Sequence, residues 1–296
     1  MHGKPMILRL GIPKTSGTFP TVARRIGAAV MVSAGALWVP SAEKFRLPSG
    51  RCALLDMALD SSGFVRHAYQ GGYPWSVAQY VELAWQVGWA WWSQMDLPCE
   101  QQIAPNRAEV VSRISRSAEL YAECLAETRR VRSASGQTSL AAHLSDPVPV
   151  LQGRLPEDYD RSAELIAKAR GGEQPSFVGV GSLCTRRVNG PDGLLAVLAH
   201  LDAILPAETR LHLYGVKGDA IAEIARYKRV ASLDSMGWDF GARAAANKRF
   251  VKMTAEEQHQ VQLRKLRNTT AHREQHMRAW YARQCQIIKE NSDVRV

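Results

Sequence analysis

FVGVGSLCTRRVNGPDGLLAVLAHLDAILPAETRLHLYGV, residues 177–216, holds a short apolar run, a Pro-initiated amphipathic stretch and a second apolar run. The runs at 177–181 and 210–215 are nearly continuous in apolar character rather than alternating, the pattern of parallel strands covered on both faces. Between them, 191–205 opens on Pro-Asp, which suits the first turn of a helix. This is a strand–helix–strand unit, and the same unit recurs along the chain. Apolar runs return at 5–11, 28–39, 52–59, 88–95, 147–152, 177–181, 210–215 and 230–233, with helices expected over 76–85, 105–131, 156–169, 191–205 and 219–227. Eight parallel strands in one chain favour an α/β fold of the closed (β/α)8, TIM-like barrel type over an open doubly wound sheet. The open sheet is the alternative, but neither G-x-G-x-x-G after a strand nor G-x-x-x-x-G-K-[ST] is present to support it.

A chain of 296 residues, 46% hydrophobic and 22% charged, has the balance of a globular protein and can bury a sizeable core. The longest apolar stretch, 27–40 (GAAVMVSAGALWVP), is shorter than the roughly 20 residues needed to span a bilayer, so it reads as a buried strand. Arg24 and Arg25 precede it, but so does a polar segment containing Pro and Lys, which is unlike a secretory leader. A cytoplasmic location without membrane contact is therefore expected. The 5 cysteines (Cys52, Cys99, Cys124, Cys184, Cys285) are odd in number and widely spaced, which argues against a disulfide framework and a cysteine-rich zinc site. The net charge of +10 is concentrated late: residues 242–296 hold 12 Lys and Arg against 5 Asp and Glu. The chain divides on this basis into a catalytic barrel, 1–241, and a basic helical C-terminal segment, 242–296, packed on the barrel. A phosphate polymer is the natural partner of such a surface, and a merely solvated basic helix is the alternative.

In a barrel, chemistry sits where strands end at their C-terminal edge. Asp60-Ser61-Ser62-Gly63 follows one expected strand, and reads equally as a substrate-receiving group or as a turn capping the next helix. Asp96 emerges from GWAWWSQM, where a carboxylate is costly unless paired or used. Further strand ends carry Gln152-Gly153, Gly181-Ser182, Gly215-Val216-Lys217 and Asp234-Ser235. Singly, each of these is as much a turn or cap as a site. Together they place three carboxylates, an amide, hydroxyls and glycines at one end of separate strands, where a barrel makes side chains converge. Two carboxylates with separate tasks, one attacking the anomeric carbon and one managing protons, are what glycosidic substitution requires.

These strand ends resemble the guanine transglycosylase superfamily, and within it the DNA-acting branch, the deazapurine DNA modification proteins (DpdA). The ordered motifs are L-G (Leu10, Gly11), D-S-S-G-F (60–64), Q-M-D-L-P-C-E (94–100), V-L-Q-G (150–153), G-V-G-S-L-C-T-R-R (179–187), Y-G-V-K (214–217) and S-L-D-S-M-G-W (232–238). The resemblance implies that Asp234 is the nucleophile on the deoxyribose C1′ and that Asp60 acts as general acid and base, with Ser61 beside it. Asp96 and Gln152 would hydrogen-bond the polar edge of a guanine or 7-deazaguanine ring. Gly179 and Gly181 would let the flat base lie against backbone, with Gly153, Ser182 and Lys217 completing the substrate site. The implied activity is exchange of guanine in DNA for a 7-deazaguanine of the preQ0 type, the free base being the co-substrate and no cofactor taking part. The resemblance covers modification systems of viruses and bacteria, in which altered guanines blunt restriction nucleases.

Relatives that act on transfer RNA carry a C-x-C-x-x-C and a later His that bind structural zinc. Here the tail holds only Cys285 with His259, His272 and His276, so no zinc is expected and the DNA branch is favoured over transfer RNA. Ser62 stands where the family's D-S-G-G has a glycine. A stacked, paired base must be extruded before a barrel mouth can reach it. Arg186 and Arg187 at the mouth, and Arg243, Lys248, Arg249, Arg264, Lys265 and Arg267 in the basic segment, are the candidates for holding the flanking phosphates. Trp280 and Tyr281 are expected to pack on the barrel, and Trp85, Trp89, Trp91 and Trp92 to fill the core. A barrel that binds nucleic acid without catalysis is the reading from another class.

Overall fold

The computed structural model describes residues 6–50, 52, 54–134 and 144–292, without the side chains at 264 and 268. Pro5 and Ala53, each inside an expected strand, residues 293–296 of the expected extension, and the side chain of Arg264 lie outside the described residues. In chain order the elements are β1 (Ile7–Ile12), α1 (Thr18–Arg25), β2 (Ala29–Ser33), β3 (Trp38–Val39), β4 (Lys44–Phe45), β5 (Met57–Asp60), α2 (Gly63–Tyr69), α3 (Val77–Gln86) and β6 (Trp91–Trp92). There follow α4 (Arg107–Ala134), β7 (Val150–Leu151), α5 (Asp158–Ala169), β8 (Phe177–Val180), α6 (Leu194–Ile204), β9 (Arg210–Leu213), α7 (Ile221–Ile224) and β10 (Val230–Ser235). The chain continues through α8 (Gly237–Val251), α9 (Ala255–Gln260), α10 (Leu263–Asn268) and α11 (Thr270–Ser292).

Eight strands form one parallel sheet in the order β6-β5-β2-β1-β10-β9-β8-β7, so barrel strands consecutive in the chain are neighbours in space. Its two ends meet. Val148 donates to Trp92 O at 2.8 Å and accepts from Gln94 N at 3.0 Å, a parallel bridge that completes an α/β barrel of the TIM-like type. Past this bridge the ladder is carried by a side chain. Gln94 Oε1 accepts from Val150 N at 3.0 Å, while its Nε2 donates to Ser117 O at 2.7 Å on α4. Gln94 is fully buried, so both ends of its amide are satisfied inside the protein.

Each expected apolar run contains a barrel strand, with one correction. The run 28–39 is not continuous: β2 ends at Ser33, a single 3-10 turn follows at Ala34–Ala36, and β3 pairs antiparallel with β4. The break falls where Gly35 N is captured by Ser62 Oγ at 2.6 Å, which takes the chain out of the ladder and over the barrel mouth. The hairpin packs by Trp38 and Phe45 against Trp75, with ring centroids 5.0–5.4 Å apart. Among the crossover helices, α3 starts on a capping box between Ser76 and Gln79. The expected helix at 219–227 shrinks to the single turn of α7, and α11 packs there instead, also touching α8, α1 and β1. Met277 and Ile288 of α11 are buried in the two main hydrophobic clusters. Position 242, where the charge balance changes, lies inside α8. Buried Asp239 on α8 pairs with Arg243 at 2.7 Å and with Arg273 of α11 at 2.6 Å, and the Arg273 guanidinium lies over Phe19 of α1. No helix among the described residues is long and apolar enough to cross a membrane.

Replacing Gln94 by Leu removes the acceptor of a buried backbone N–H at the barrel seam. The expected loss is about 1–3 kcal/mol, read as a lower urea midpoint at unchanged m-value.

Candidate active site at the barrel mouth

Side chains of a barrel strand alternate between interior and helix layer, so the residue at each strand end decides what faces the mouth. On β9, His212 and the following Tyr214 share the interior face, their rings 4.5 Å apart, and Trp91 of β6 packs on His212 at 4.7 Å. Below them Arg9 of β1 lies over Trp91 and pairs with Asp56 at 2.9 Å. This floor of rings and one cation fills the barrel. Above it stand Asp60, Asp96, Gln152 and Asp234.

Asp60 ends β5 beside Ser33, which ends β2; the two are in register, and Ser33 Oγ donates to Asp60 Oδ2 at 3.0 Å. Burial pushes the Asp60 carboxyl up to about 7, and the charges of Asp96 and Asp234 push it in the same direction. Those three carboxylates therefore share one electrostatic space, as the strand ends suggested. Burial likewise raises Asp96 to about 6, against the hydrogen bonds from Ser61, Gln152 and Tyr73 that favour its charged form.

A chain of hydrogen bonds crosses the mouth. Cys99 N donates to Ser182 Oγ at 2.8 Å, Ser182 Oγ donates to Gln152 Oε1, and Gln152 Nε2 donates to Asp96 Oδ2. From the other side Ser61 Oγ donates to Asp96 Oδ1 at 2.6 Å and lies 2.9 Å from Tyr73 Oη. This direction fixes the Gln152 amide with its oxygen on Ser182, and among the described residues its Nε2 donates only to Asp96, which leaves one of its two N–H groups without an acceptor. Two residues reach the arrangement through left-handed backbone. Ser182 has φ 58° and Ser62 has φ 71°; the latter sits where a glycine was expected, held by Gly35 N and by contact with Ser33 Oγ.

Asp234 lies on β10 in register with Arg9 and is buried, with 12% of its side chain accessible. Its Oδ1 accepts from Gly215 N at 3.0 Å and faces His212 Nε2 at 3.4 Å. Oδ2 accepts no hydrogen bond from the described residues. The other nitrogen of His212, Nδ1, lies 2.8 Å from Ser232 Oγ. His212 is fully buried, and it is inconspicuous in the sequence because RLHLY reads as an apolar strand. Period-two parity marks it: two residues before Tyr214, and paired in register with Ser232, it faces inward.

Other expected site residues stand differently. A Cβ at Gly153 would lie 2.8 Å from Asp158 and Tyr159, so this glycine makes room for α5 rather than lining the mouth. A Cβ at Gly179 would meet the Tyr214 ring at 2.4 Å, and one at Gly181 the Gln152 amide at 2.3 Å. These glycines admit the neighbouring side chains that build the site. Arg186 donates to Gly153 O, Arg154 O, Ser182 O and Asp192 O at 2.6–3.1 Å, which makes it a brace between loops rather than a free phosphate contact. Lys217 is exposed at the rim, its Nζ within 3.2–3.4 Å of Arg186 O and Thr185 O. Arg187, Lys248, Arg249 and Lys265 are exposed; Arg267 is half-buried, and Arg243 is tied to Asp239. Trp280 packs beside Gly218, after β9, and Gly237, the first residue of α8, and Trp92 is core, whereas Trp91 lines the barrel interior.

Fold and site define a TIM-like α/β barrel with a carboxylate-rich, hydrogen-bonded mouth. The chain belongs to the DpdA family (DeoxyPurine in DNA protein A), whose model matches residues 19–278. That membership implies a role in DNA modification by deazapurine insertion. No curated protein matches the chain.

Because Asp60 holds its proton to about pH 7 in the folded chain and only to about 3.9 when unfolded, its contribution to stability falls as the pH rises through that interval. Asp60→Asn removes the burden. The variant is expected to melt level with the wild type at about pH 4 and increasingly above it as the pH rises to about 8, by calorimetry.

Proposed function

We propose that this protein exchanges guanine in DNA for a 7-deazaguanine of the preQ0 type through a covalent ester between Asp234 and the deoxyribose. The observation that carries the reading is the grouping of Asp96 and Asp234 about Asp60, whose carboxyl both of their charges raise, with one oxygen of Asp234 held by Gly215 N and one open. Oδ2 attacks C1′ while the C1′–N9 bond breaks, and the electron pair goes to N9 of the departing guanine. Asp60, near neutrality in both protonation states, gives N9 its proton. The incoming base returns a proton to Asp60 as its N9 displaces the carboxylate, so two inversions give retention.

Recognition follows from donor order. A 2-amino-6-oxo purine edge presents an acceptor (O6) beside two donors (N1–H and the 2-amino group). The spare N–H of Gln152 suits the acceptor and ionised Asp96 suits the donors. Protonation of Asp96 near pH 6 would spoil this match, so exchange falls on the acid side. The target must leave its stack, at a cost of a few kcal/mol. Exposed Arg187, Lys248, Arg249 and Lys265 are suited to the flanking phosphates, with 7-deazaguanine and DNA as partners and no cofactor.

Asp234→Asn is expected to abolish incorporation of labelled base into DNA while leaving DNA affinity within about twofold. Assayed beside transfer RNA, label entering RNA alone would overturn the DNA assignment, and unchanged activity of Asp234→Asn would overturn the mechanism. Lys248→Ala with Arg249→Ala is expected to weaken DNA binding regardless of sequence and to reduce the slope of log K against log salt by about 2.

A further inference from the structure

Buried histidines inside apolar strands are ordinarily satisfied by neighbours of the core. His212 has a different set of neighbours. Its Nδ1 lies 2.8 Å from Ser232 Oγ, its Nε2 faces Asp234 Oδ1 at 3.4 Å, and the rings of Trp91 and Tyr214 pack against it edge to face. Ser232 and Asp234 lie two residues apart on β10, so both face the interior beside the histidine. We propose that His212, held in its Nε2–H tautomer by Ser232, is a positioning residue that anchors Oδ1 of Asp234 and so presents Oδ2 to the reacting carbon. This rests on the reading of Asp234 as nucleophile.

The tautomer follows from the partners. Burial disfavours the imidazolium form and outweighs the hydrogen bond and charge of Asp234, which favour it, with the charge of Arg9 adding to the burial, so the ring is neutral and carries one proton. A carboxylate can only accept, which places that proton on Nε2 and leaves Nδ1 to accept from the Ser232 hydroxyl. A neutral donor at this place does what a cation would not. It orients Asp234 without an ion pair that would blunt the carboxylate as a nucleophile. Gly215 N is the formed donor on the same oxygen at 3.0 Å, and His212 Nε2 approaches that oxygen from a second direction. At 3.4 Å Nε2 is a buried polar atom with no formed hydrogen bond in this structure, and catalytic contacts often tighten only once substrate binds. The pair also favours release: two N–H donors hold a carboxylate more strongly than the carbonyl oxygen of its ester, which assists departure of Asp234 when the second base attacks.

The test compares wild type with His212→Phe, His212→Gln and Ser232→Ala. It measures the single-turnover rate of the denaturant-stable adduct with DNA, together with kcat and KM for DNA and for free preQ0 base. Loss of the anchor should slow adduct formation about 100-fold in His212→Phe with both KM values within about twofold. His212→Gln, whose amide N–H reaches the same oxygen, should recover at least about tenfold of that loss, and Ser232→Ala should cost about 5- to 10-fold. Wild-type rate in His212→Phe, a KM that rises in step with the fall in kcat, or a glutamine no faster than phenylalanine would overturn the assignment. If His212→Phe fails to fold, Ser232→Ala and nitrogen-15 NMR of the wild type decide it: a proton on Nε2 and none on Nδ1 is required. The same spectrum separates the two claims. Wild-type protein that neither forms adduct nor exchanges base defeats the functional reading, whereas a proton found on Nδ1 defeats the anchor.

Discussion

The barrel is held shut at one place by very little backbone. Between β6 and β7 the ladder is a single residue, Val148, and the next rung is made by the amide of Gln94. That seam sets the site. Two residues beyond Gln94 stands Asp96, and two beyond Val150 stands Gln152, so the alignment that lets the Gln152 amide reach Asp96 is inherited from the rung below. Asp96 and Gln152 come from strands whose ladder is almost absent, and they bond to each other across it. The site and the closure of the fold are thus one structure.

Much of the fold was legible because its cause is local. Strands buried on both faces must be apolar throughout, and eight such runs spaced by helix-length segments leave few topologies. The misses have equally local causes. The turn after Ser33 depends on a bond from Gly35 to Ser62, 27 residues away, which no window of sequence contains. Gln94 is an ordinary polar residue until the barrel closes around it. At the site, Asp60, Asp96 and Asp234 were found because carboxylates are conspicuous at the ends of apolar runs. Gly153 and Arg186 occupy similar places in the sequence but serve the packing of α5 and the bracing of loops. His212 sits in a run whose apolar composition masks the period-two parity that turns it inward.

The mouth also carries a cost. Three acids in one space, two of them holding protons well above the usual carboxylate range, work against folding at neutral pH. The surrounding fold compensates with contacts remote from the chemistry. Asp239, paired with Arg243 and Arg273, ties α8 to α11, and the Arg273 guanidinium reaches Phe19 of α1. Some of the late basic charge is therefore spent inside the molecule, and only part of it is displayed.

The hydrogen-bonded path from Tyr73 through Ser61, Asp96, Gln152 and Ser182 to Cys99 has a bearing on selectivity. Its members satisfy one another apart from one N–H of Gln152, so on the proposed function an arriving heterocycle would compete with an internal surrogate for the oxygens of Asp96. A ring with the complete pattern exchanges partners at little net expense. One that lacks a single polar group would part the surrogate without replacing it, so a site of this kind would reject near-mimics more sharply than it grips its proper ligand.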